Sequence, residues 1–215
     1  MRQDKFLERC KRVSDTVYVE KEEGNFHTQL IPKMVEDYFC VEGLPLDACI
    51  LDVGCGEGTF LDVVRNLGYR NVKGITMSPE EVTTCVSKGH DVRMADMADM
   101  GIEYGSLDMI WARQSVEHSA YPYFVLLEFY DCLKPGGKLY LEVPAENTER
   151  HHEMNPNHFS VMGANMWASL LVKAGFKCNN YNNFKFDIQI NEQITVKEHF
   201  YIFVATKPNV QELPV

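Results

Sequence analysis

The sequence lacks long apolar runs, paired cysteines and an excess of basic residues. No stretch of about 18 consecutive apolar residues occurs, so no membrane-spanning helix is expected. The seven cysteines are odd in number and form no C-x-x-C pair, which is typical of free thiols in a reducing compartment. The charged opening segment, MRQDKFLERCKRV, has no signal-peptide apolar core. We therefore expect a cytoplasmic protein with no membrane partner.

The charge balance is acidic. Asp and Glu total 31 against 21 Lys and Arg, a formal net charge of −10. Proteins that bind nucleic-acid backbone usually carry a basic patch, and none is visible here, so nucleic acid is disfavoured as a partner. The acidic surface favours solubility or attracts a cationic substrate. With 215 residues, 45% of them apolar, the chain is long enough for one α/β domain with its own core.

Short apolar runs alternate with helical periods along the chain. Helices are predicted over 59–67, after Ser78-Pro79, over 125–133 and over 165–174, with an earlier amphipathic segment from Leu30 to Phe39. Strands are predicted at 49–53, 71–75, 91–94, 107–112 and 138–143, and near 177–186 and 199–206. The alternation through residue 143 predicts a mostly parallel sheet with helices on both faces. Ligands of such sheets bind beyond the carboxyl ends of the strands.

A glycine-rich loop, LDVGCGEGT from Leu51 to Thr59, joins the first strand to its helix. Gly54 and Gly56 permit a tight turn and let a ligand approach bare backbone. The dinucleotide fingerprint requires glycine or alanine where this chain has Thr59, so a pyrophosphate cofactor is disfavoured. A tight turn that binds no ligand is the alternative interpretation of the loop.

Four motifs in order resemble those of the class I S-adenosylmethionine-dependent methyltransferase superfamily, in its small-molecule methyltransferase-domain branch. They are the glycine loop, Asp96 after the third strand, the run from Arg113 to His118, and the L-K-P-G-G turn from Leu133 to Gly137. The resemblance covers about residues 26–207. It implies a Rossmann-like three-layer α/β/α sandwich with a mostly parallel seven-stranded sheet whose last strand is antiparallel, and S-adenosylmethionine as the cofactor.

The resemblance also implies an organisation of the chain as one domain over residues 1–215. Residues 1–45 are expected to form an N-terminal cap, with a helix containing Phe26 and His27 over the cofactor. Residues 46–145 form the cofactor-binding half, and residues 146–215 form the substrate side and the final strands. The acceptor pocket is expected between the N-terminal helix and the 144–165 segment.

The glycine loop receives its roles from the same resemblance. The backbone of Gly54, Cys55 and Gly56 would pass along the amino-acid tail and the ribose of the cofactor. Asp52 would orient the ammonium group of the tail.

Four more positions receive roles at the ends of the third and fourth strands. Asp96 would accept a hydrogen bond from the adenine amino group, and the Met97 amide would face the adenine ring nitrogen. The Arg113 carbonyl and Gln114 would line the tail and the methyl exit. From the residues alone, Asp96 could equally cap the segment after its strand, and Arg113 could form a surface ion pair.

The end of the second strand departs from the usual pattern. The superfamily commonly has an acid there that grips both ribose hydroxyls, whereas this chain has Thr76 followed by Met77. The hydroxyl of Thr76 can still bind the ribose, and Met77 can pack on the adenine. The form G-I-T-x-S-P-E resembles the branch of cyclopropane synthases and some sterol and tocopherol methyltransferases. A neutral acceptor predicts weaker ribose binding and argues further against NAD.

His118 and His158 are the candidate catalytic residues. Methyl transfer depends mainly on positioning, and a base is needed only when the acceptor loses a proton. Both histidines could instead be structural, as a packed side chain or in a helix start. The grouping of His151, His152, Glu153 and His158 lacks H-E-x-x-H spacing, so no metal is expected.

The expected function is methyl transfer to an O, N or C atom of a small molecule. The Asn-Pro-Pro-Tyr and Pro-Cys motifs of DNA methyltransferases are missing after the fourth strand. A non-catalytic S-adenosylmethionine-binding or scaffolding domain of the same fold is the alternative, and a dinucleotide-dependent dehydrogenase is a second one.

Overall fold

The computed structural model describes residues 5, 8, 26–178, 180–189 and 193–209. Its centre is a seven-stranded sheet in the order β3-β2-β1-β4-β5-β7-β6. The strands are β1 Ile50–Val53, β2 Val72–Thr76, β3 Asp91–Met94, β4 Leu107–Arg113, β5 Leu133–Pro144, β6 Tyr181–Gln189 and β7 Thr195–Thr206. Strands β1 to β5 are mutually parallel, and β7 is antiparallel to both β5 and β6. The predicted sheet, with its last strand antiparallel, is confirmed.

Helices flank the sheet on both faces. They are α1 Phe26–Met34, which continues as a π-helix over Val35–Phe39, α2 Thr59–Asn66, α3 Pro79–Ser87, α4 Pro122–Cys132 and α5 Ala164–Lys173. Apart from Lys5 and Glu8, the first 25 residues of the predicted N-terminal cap lie outside the described residues. Within the described part of the chain, no helix is both long and apolar enough to cross a bilayer.

Two apolar cores lie on opposite faces of the sheet. Phe129 of α4 and Trp167 of α5 are fully buried on one face. On the other face, Trp111 of β4 stacks on Tyr140 of β5 with ring centroids 3.7 Å apart, and Phe60 of α2 stacks beyond it. Parallel strands covered on both faces are expected to be apolar along their length, and all four residues of β1 are buried.

Two local expectations need correction. The helix predicted over 59–67 ends one residue earlier, because Leu67 follows the last residue of α2 and is 47% exposed. The predicted sharp turn before the fifth strand lies inside β5, where Gly136 has φ 81° and the pairing of β5 with β4 shifts register between Leu107 and Met109. The pairing passes from Leu107↔Leu133 to Met109↔Lys138, so β5 has three extra residues here, and an irregularity of this kind bends a strand without ending it.

Candidate active site

The glycine loop and the segment after β4 meet at the carboxyl edge of the sheet. The φ values of Gly54, Gly56 and Gly58 are 74°, 51° and 88°, and residues other than glycine rarely adopt such positive values. A Cβ atom added to Gly54 would lie 2.6 Å from Cβ of Ser115. Since the two backbones approach this closely, the loop and the end of β4 form one continuous edge.

Hydrogen bonds to β2 hold the glycine loop in place. The amides of Gly54 and Cys55 both donate to the Ile75 carbonyl, at 2.9 and 3.0 Å. The Cys55 side chain is buried against Gly74, where an added Cβ would lie 2.8 Å from Sγ. These two amides therefore serve the fold, and the predicted contacts of Gly54 and Cys55 with a cofactor are left to their other backbone atoms. Asp52 is buried in β1, one residue before the strand ends.

The Glu81 carboxylate lies at the end of β2, although Glu81 itself belongs to α3. The Thr76 hydroxyl donates to the Glu81 carboxylate and accepts from the Ser78 amide at 3.1 Å. Ser78 caps α3 by accepting from the Glu81 amide. Glu81 lies in the first turn of α3, and its side chain turns back to the end of β2. Met77 beside it is half-buried.

Asp96 and Met97 follow β3. One carboxylate oxygen of Asp96 accepts from the Ala98 amide at 2.8 Å, so Asp96 caps the turn after its strand. Met97 is partly buried and packs against the apolar core on the α4 side. One carboxylate oxygen of Asp96 thus caps the turn, as the alternative interpretation proposed. The hydrogen bond from the adenine amino group to Asp96 remains a prediction.

Arg113 forms a buried ion pair at the end of β4. Its Nε lies 3.0 Å from the Glu142 carboxylate, and the Arg113 and Glu142 side chains are 6% and 0% exposed. Gln114 has φ 50°, and its amide and side chain both donate to Glu142. The alternative of a surface ion pair for Arg113 is therefore wrong. Within the described residues, Nη2 of Arg113 and Oγ of Ser115 are buried without a hydrogen-bond partner.

His118 and His158 lie side by side. Their ring centroids are 4.8 Å apart, and His118 belongs to a short 3-10 turn, Val116–His118, rather than to the helix expected after β4. Glu117 in this turn is buried. Burial is the main cause that lowers the pKa of His158 to about 4, and His118 and His152 add to the shift. The structure therefore brings the two candidate catalytic residues together.

Of the two other histidines of the segment, only His152 lies beside this pair, with its ring centroid 5.5 Å from that of His158. His152 is buried and hydrogen-bonds to the Glu198 carboxylate at 3.0 Å. His151 is exposed and lies 3.5 Å from Glu153.

The start of α1 packs beside the same region. The His27 ring stacks on Phe200 with centroids 5.5 Å apart, and the Phe26 ring lies 5.0 Å from the Arg150 guanidinium. Burial, with help from the charges of Arg113 and Arg150, holds the pKa of His27 well below 6.5. The beginning of α1 thus contacts β7 and the segment after β5.

Comparisons with known proteins agree with this geometry. A family model described as "Methyltransferase domain" matches residues 51–141. A ubiquinone biosynthesis O-methyltransferase of Xanthomonas axonopodis pv. citri is 34% identical over 106 residues, covering 45% of this chain and 43% of that protein. The chain thus spans less than half the length of the curated relatives it matches.

Solved structures share the fold. An S-adenosylmethionine-dependent methyltransferase of Archaeoglobus fulgidus superposes with a TM-score of 0.69 at 18% identity, over 84% of this chain and 94% of that one. The [4+2]-cyclase SpnF superposes with a TM-score of 0.66 at 19% identity, over 85% of this chain and 81% of that one. Residues 51–141 are thus similar to a methyltransferase domain, and the chain shares the Rossmann-like fold of a solved S-adenosylmethionine-dependent methyltransferase.

Proposed function

We propose that the chain binds S-adenosylmethionine at the carboxyl ends of β1, β2 and β4 and transfers its methyl group to an oxygen atom of a small-molecule acceptor. The contact between Gly54 and Ser115 carries the proposal, because it brings the glycine loop and the end of β4 to one edge. The similarity to a ubiquinone biosynthesis O-methyltransferase supports oxygen as the acceptor atom.

The residues at this edge fit such a cofactor. The bare backbone at Gly54 lets the glycine loop lie directly against Ser115. Ser115 Oγ and Arg113 Nη2 are buried beside it without partners among the described residues. A buried polar group that lacks a hydrogen bond costs about 1–3 kcal/mol. The polar tail of a bound cofactor would offset that cost, with Asp52 and Gln114 completing the lining.

Glu81 supplies the acid that the sequence of β2 lacks. Its carboxylate is hydrogen-bonded to Thr76 at the strand end, where a ribose-binding acid stands in the superfamily. We propose that Thr76 and Glu81 together bind the ribose hydroxyls and that Met77 packs on the adenine. Asp96 accepts from the adenine amino group, and the Met97 amide faces the ring.

When bound, the cofactor supplies an electrophilic methyl group on a sulfonium centre. Transfer of this group would form the O–C bond and break the S–C bond, with the bonding electron pair going to sulfur and the hydroxyl proton going to solvent. His118 and His158 position the acceptor hydroxyl in line with the methyl group. Holding the reacting atoms in line in this way lowers the barrier to transfer.

Calorimetric titration with S-adenosylhomocysteine tests the cofactor site. Replacing Asp96 with alanine removes a charge-assisted hydrogen bond, and we expect binding to weaken by about 1–3 kcal/mol. Asp99→Ala is the matched control, because Asp99 is an exposed acid in the same turn. Asp96→Ala also removes the hydrogen bond from the Ala98 amide, so the melting temperature of each variant without ligand is measured to detect any loss of stability from that change. Unchanged affinity for Asp96→Ala would refute the placement of the adenine.

A labelled-methyl assay separates the proposed function from its alternatives. Transfer from labelled S-adenosylmethionine to hydroxylated acceptors, and not to their O-methylated forms, is expected. Tight S-adenosylhomocysteine binding with no transfer to any acceptor would favour a non-catalytic binding domain. Stabilisation by NADH and not by S-adenosylhomocysteine would overturn the assignment altogether.

A further inference from the structure

Three metal-ligand side chains converge after β4 and β5. Glu117 and His118 follow β4, and His158 lies in the long segment after β5. One donor atom from each residue lies within 4.8 Å of the other two. No metal was expected from the sequence, in which His158 stands near His151 and His152 and 41 positions from Glu117.

The backbone ties these residues to each other. The amides of Phe159 and Ser160 both donate to the Glu117 carbonyl, at 2.8 and 3.0 Å. The Ser160 hydroxyl donates to the Ser119 carbonyl at 2.8 Å. The segment carrying His158 is thus fastened to the turn that carries Glu117, so the grouping belongs to the fold and not to one side-chain rotamer.

Both imidazole rings are oriented for ligation through Nε2. Nδ1 of His118 lies 3.0 Å from the Asn157 carbonyl, and Nδ1 of His158 lies 3.0 Å from the His152 carbonyl. A carbonyl oxygen only accepts, so each Nδ1 carries the proton and each acceptor lone pair is on Nε2. A backbone carbonyl on the far nitrogen is the usual orienting contact of metal-binding histidines.

The nearby cations are already balanced by other carboxylates. Arg113 pairs with Glu142, and Arg150 lies 3.5 Å from Glu198. The positive charges around the cluster are therefore compensated locally, and they do not oppose a further cation beside Glu117.

We propose that Glu117, His118 and His158 form a divalent-cation site. Two imidazole nitrogens and one carboxylate suit Zn²⁺ and the neighbouring transition metals, whereas Ca²⁺ and Mg²⁺ prefer oxygen ligands alone. Bonds to Zn²⁺ of about 2.0–2.2 Å require the donor atoms to draw closer than they are here. That movement displaces the long 3.3 Å contact between Asn155 and Nε2 of His158.

Three protein ligands leave coordination positions open, as in catalytic metal sites. This step rests on the proposed function: the acceptor oxygen occupies one of the open coordination positions. The cation then lowers the pKa of the bound hydroxyl, whose proton passes to solvent before the oxygen attacks the methyl group. In this arrangement His118 and His158 position the acceptor through the cation.

Metal binding is measured on the full chain without a tag, cofactor or acceptor. After dialysis against a chelator, the protein is titrated with Co²⁺ and followed by its visible absorption, and with Zn²⁺ by calorimetry. We expect one ion per chain. His158→Ala and Glu117→Gln should each bind at least tenfold more weakly. His151→Asn, which alters an exposed histidine of the same segment, should bind as the wild type does.

Absence of Co²⁺ bands and Zn²⁺ heats at millimolar metal would overturn the proposal, as would equal affinity in all three variants. If Glu117→Gln does not fold, His158→Gln decides, since His158 is only half-buried. Because no cofactor is present, failure of this experiment leaves S-adenosylhomocysteine binding and methyl transfer untouched.

Discussion

Replacing Gly54 with alanine tests how closely the glycine loop approaches the end of β4. Gly54 has φ 74°, and the added Cβ would lie 2.6 Å from Cβ of Ser115. Gly105 has a similar φ of 67°, and an added Cβ there meets no atom within 4 Å. The pair of substitutions therefore shares a backbone cost and differs in one steric contact.

The two costs are separable. An alanine in the left-handed region costs about 1–2 kcal/mol, and this applies to both variants. The Cβ of an alanine at position 54 and the Cβ of Ser115 are both bonded directly to the backbone. The steric overlap between them can therefore be relieved only by a shift of the glycine loop. Overpacking of this kind typically costs about 1–3 kcal/mol more. We expect Gly105→Ala to lose about 1–2 kcal/mol of the free energy of unfolding and Gly54→Ala about 2–5 kcal/mol.

Urea denaturation measures both variants, together with the rescue variant Gly54→Ala/Ser115→Gly. Removing the Ser115 side chain should recover most of the steric part and leave the backbone part. Calorimetry with S-adenosylhomocysteine should show weakened binding for Gly54→Ala and unchanged binding for Gly105→Ala. Equal losses of stability in the two single variants, or no recovery in the double variant, would refute the close approach.

Three further predictions follow from buried charges and the end of β2. Glu142→Leu leaves Arg113 buried without its partner, so the free energy of unfolding from urea denaturation should fall by about 3–5 kcal/mol. The double variant Arg113→Met/Glu142→Leu should recover most of this loss. A loss below about 1 kcal/mol in the single variant would contradict the buried pair. Burial lowers the pKa of His27 in the folded state, so the contribution of the neutral ring to stability is present above pH 6.5 and is lost as pH falls below that value. His27→Phe should therefore reduce the fall in melting temperature between pH 6.5 and pH 5. An unchanged fall would contradict the burial of a neutral ring. Glu81→Gln should weaken S-adenosylhomocysteine binding about tenfold, from a lost charge-assisted hydrogen bond, while Glu80→Gln should not; equal affinities would remove Glu81 from the ribose site.

The strands and the glycine loop follow from local signals. β3 is predicted to the residue, and β1 and β2 to within one residue at each end. β1 is buried along its whole length, as expected of a parallel strand that is covered on both faces, whereas three of the four residues of β3 are exposed. The loop from Leu51 to Thr59 was recognised because its glycines stand between an apolar strand and a helical period. These features depend on neighbours in sequence, so the sequence by itself determined the fold class. The cofactor was indicated by the resemblance of the ordered motifs to a known superfamily.

The tertiary structure decided which side chains share the candidate site. Glu117 and His158 are 41 positions apart, and no local pattern joins them. They meet because β4 and β5 are adjacent parallel strands, whose carboxyl ends lie at the same edge of the sheet. Glu81 reaches Thr76 only once the Ser78 cap has turned α3 back toward the end of β2. The periodicity of apolar residues predicts which face of a single helix or strand is buried. Contacts between distant segments depend on strand order and backbone direction, which only the folded chain specifies.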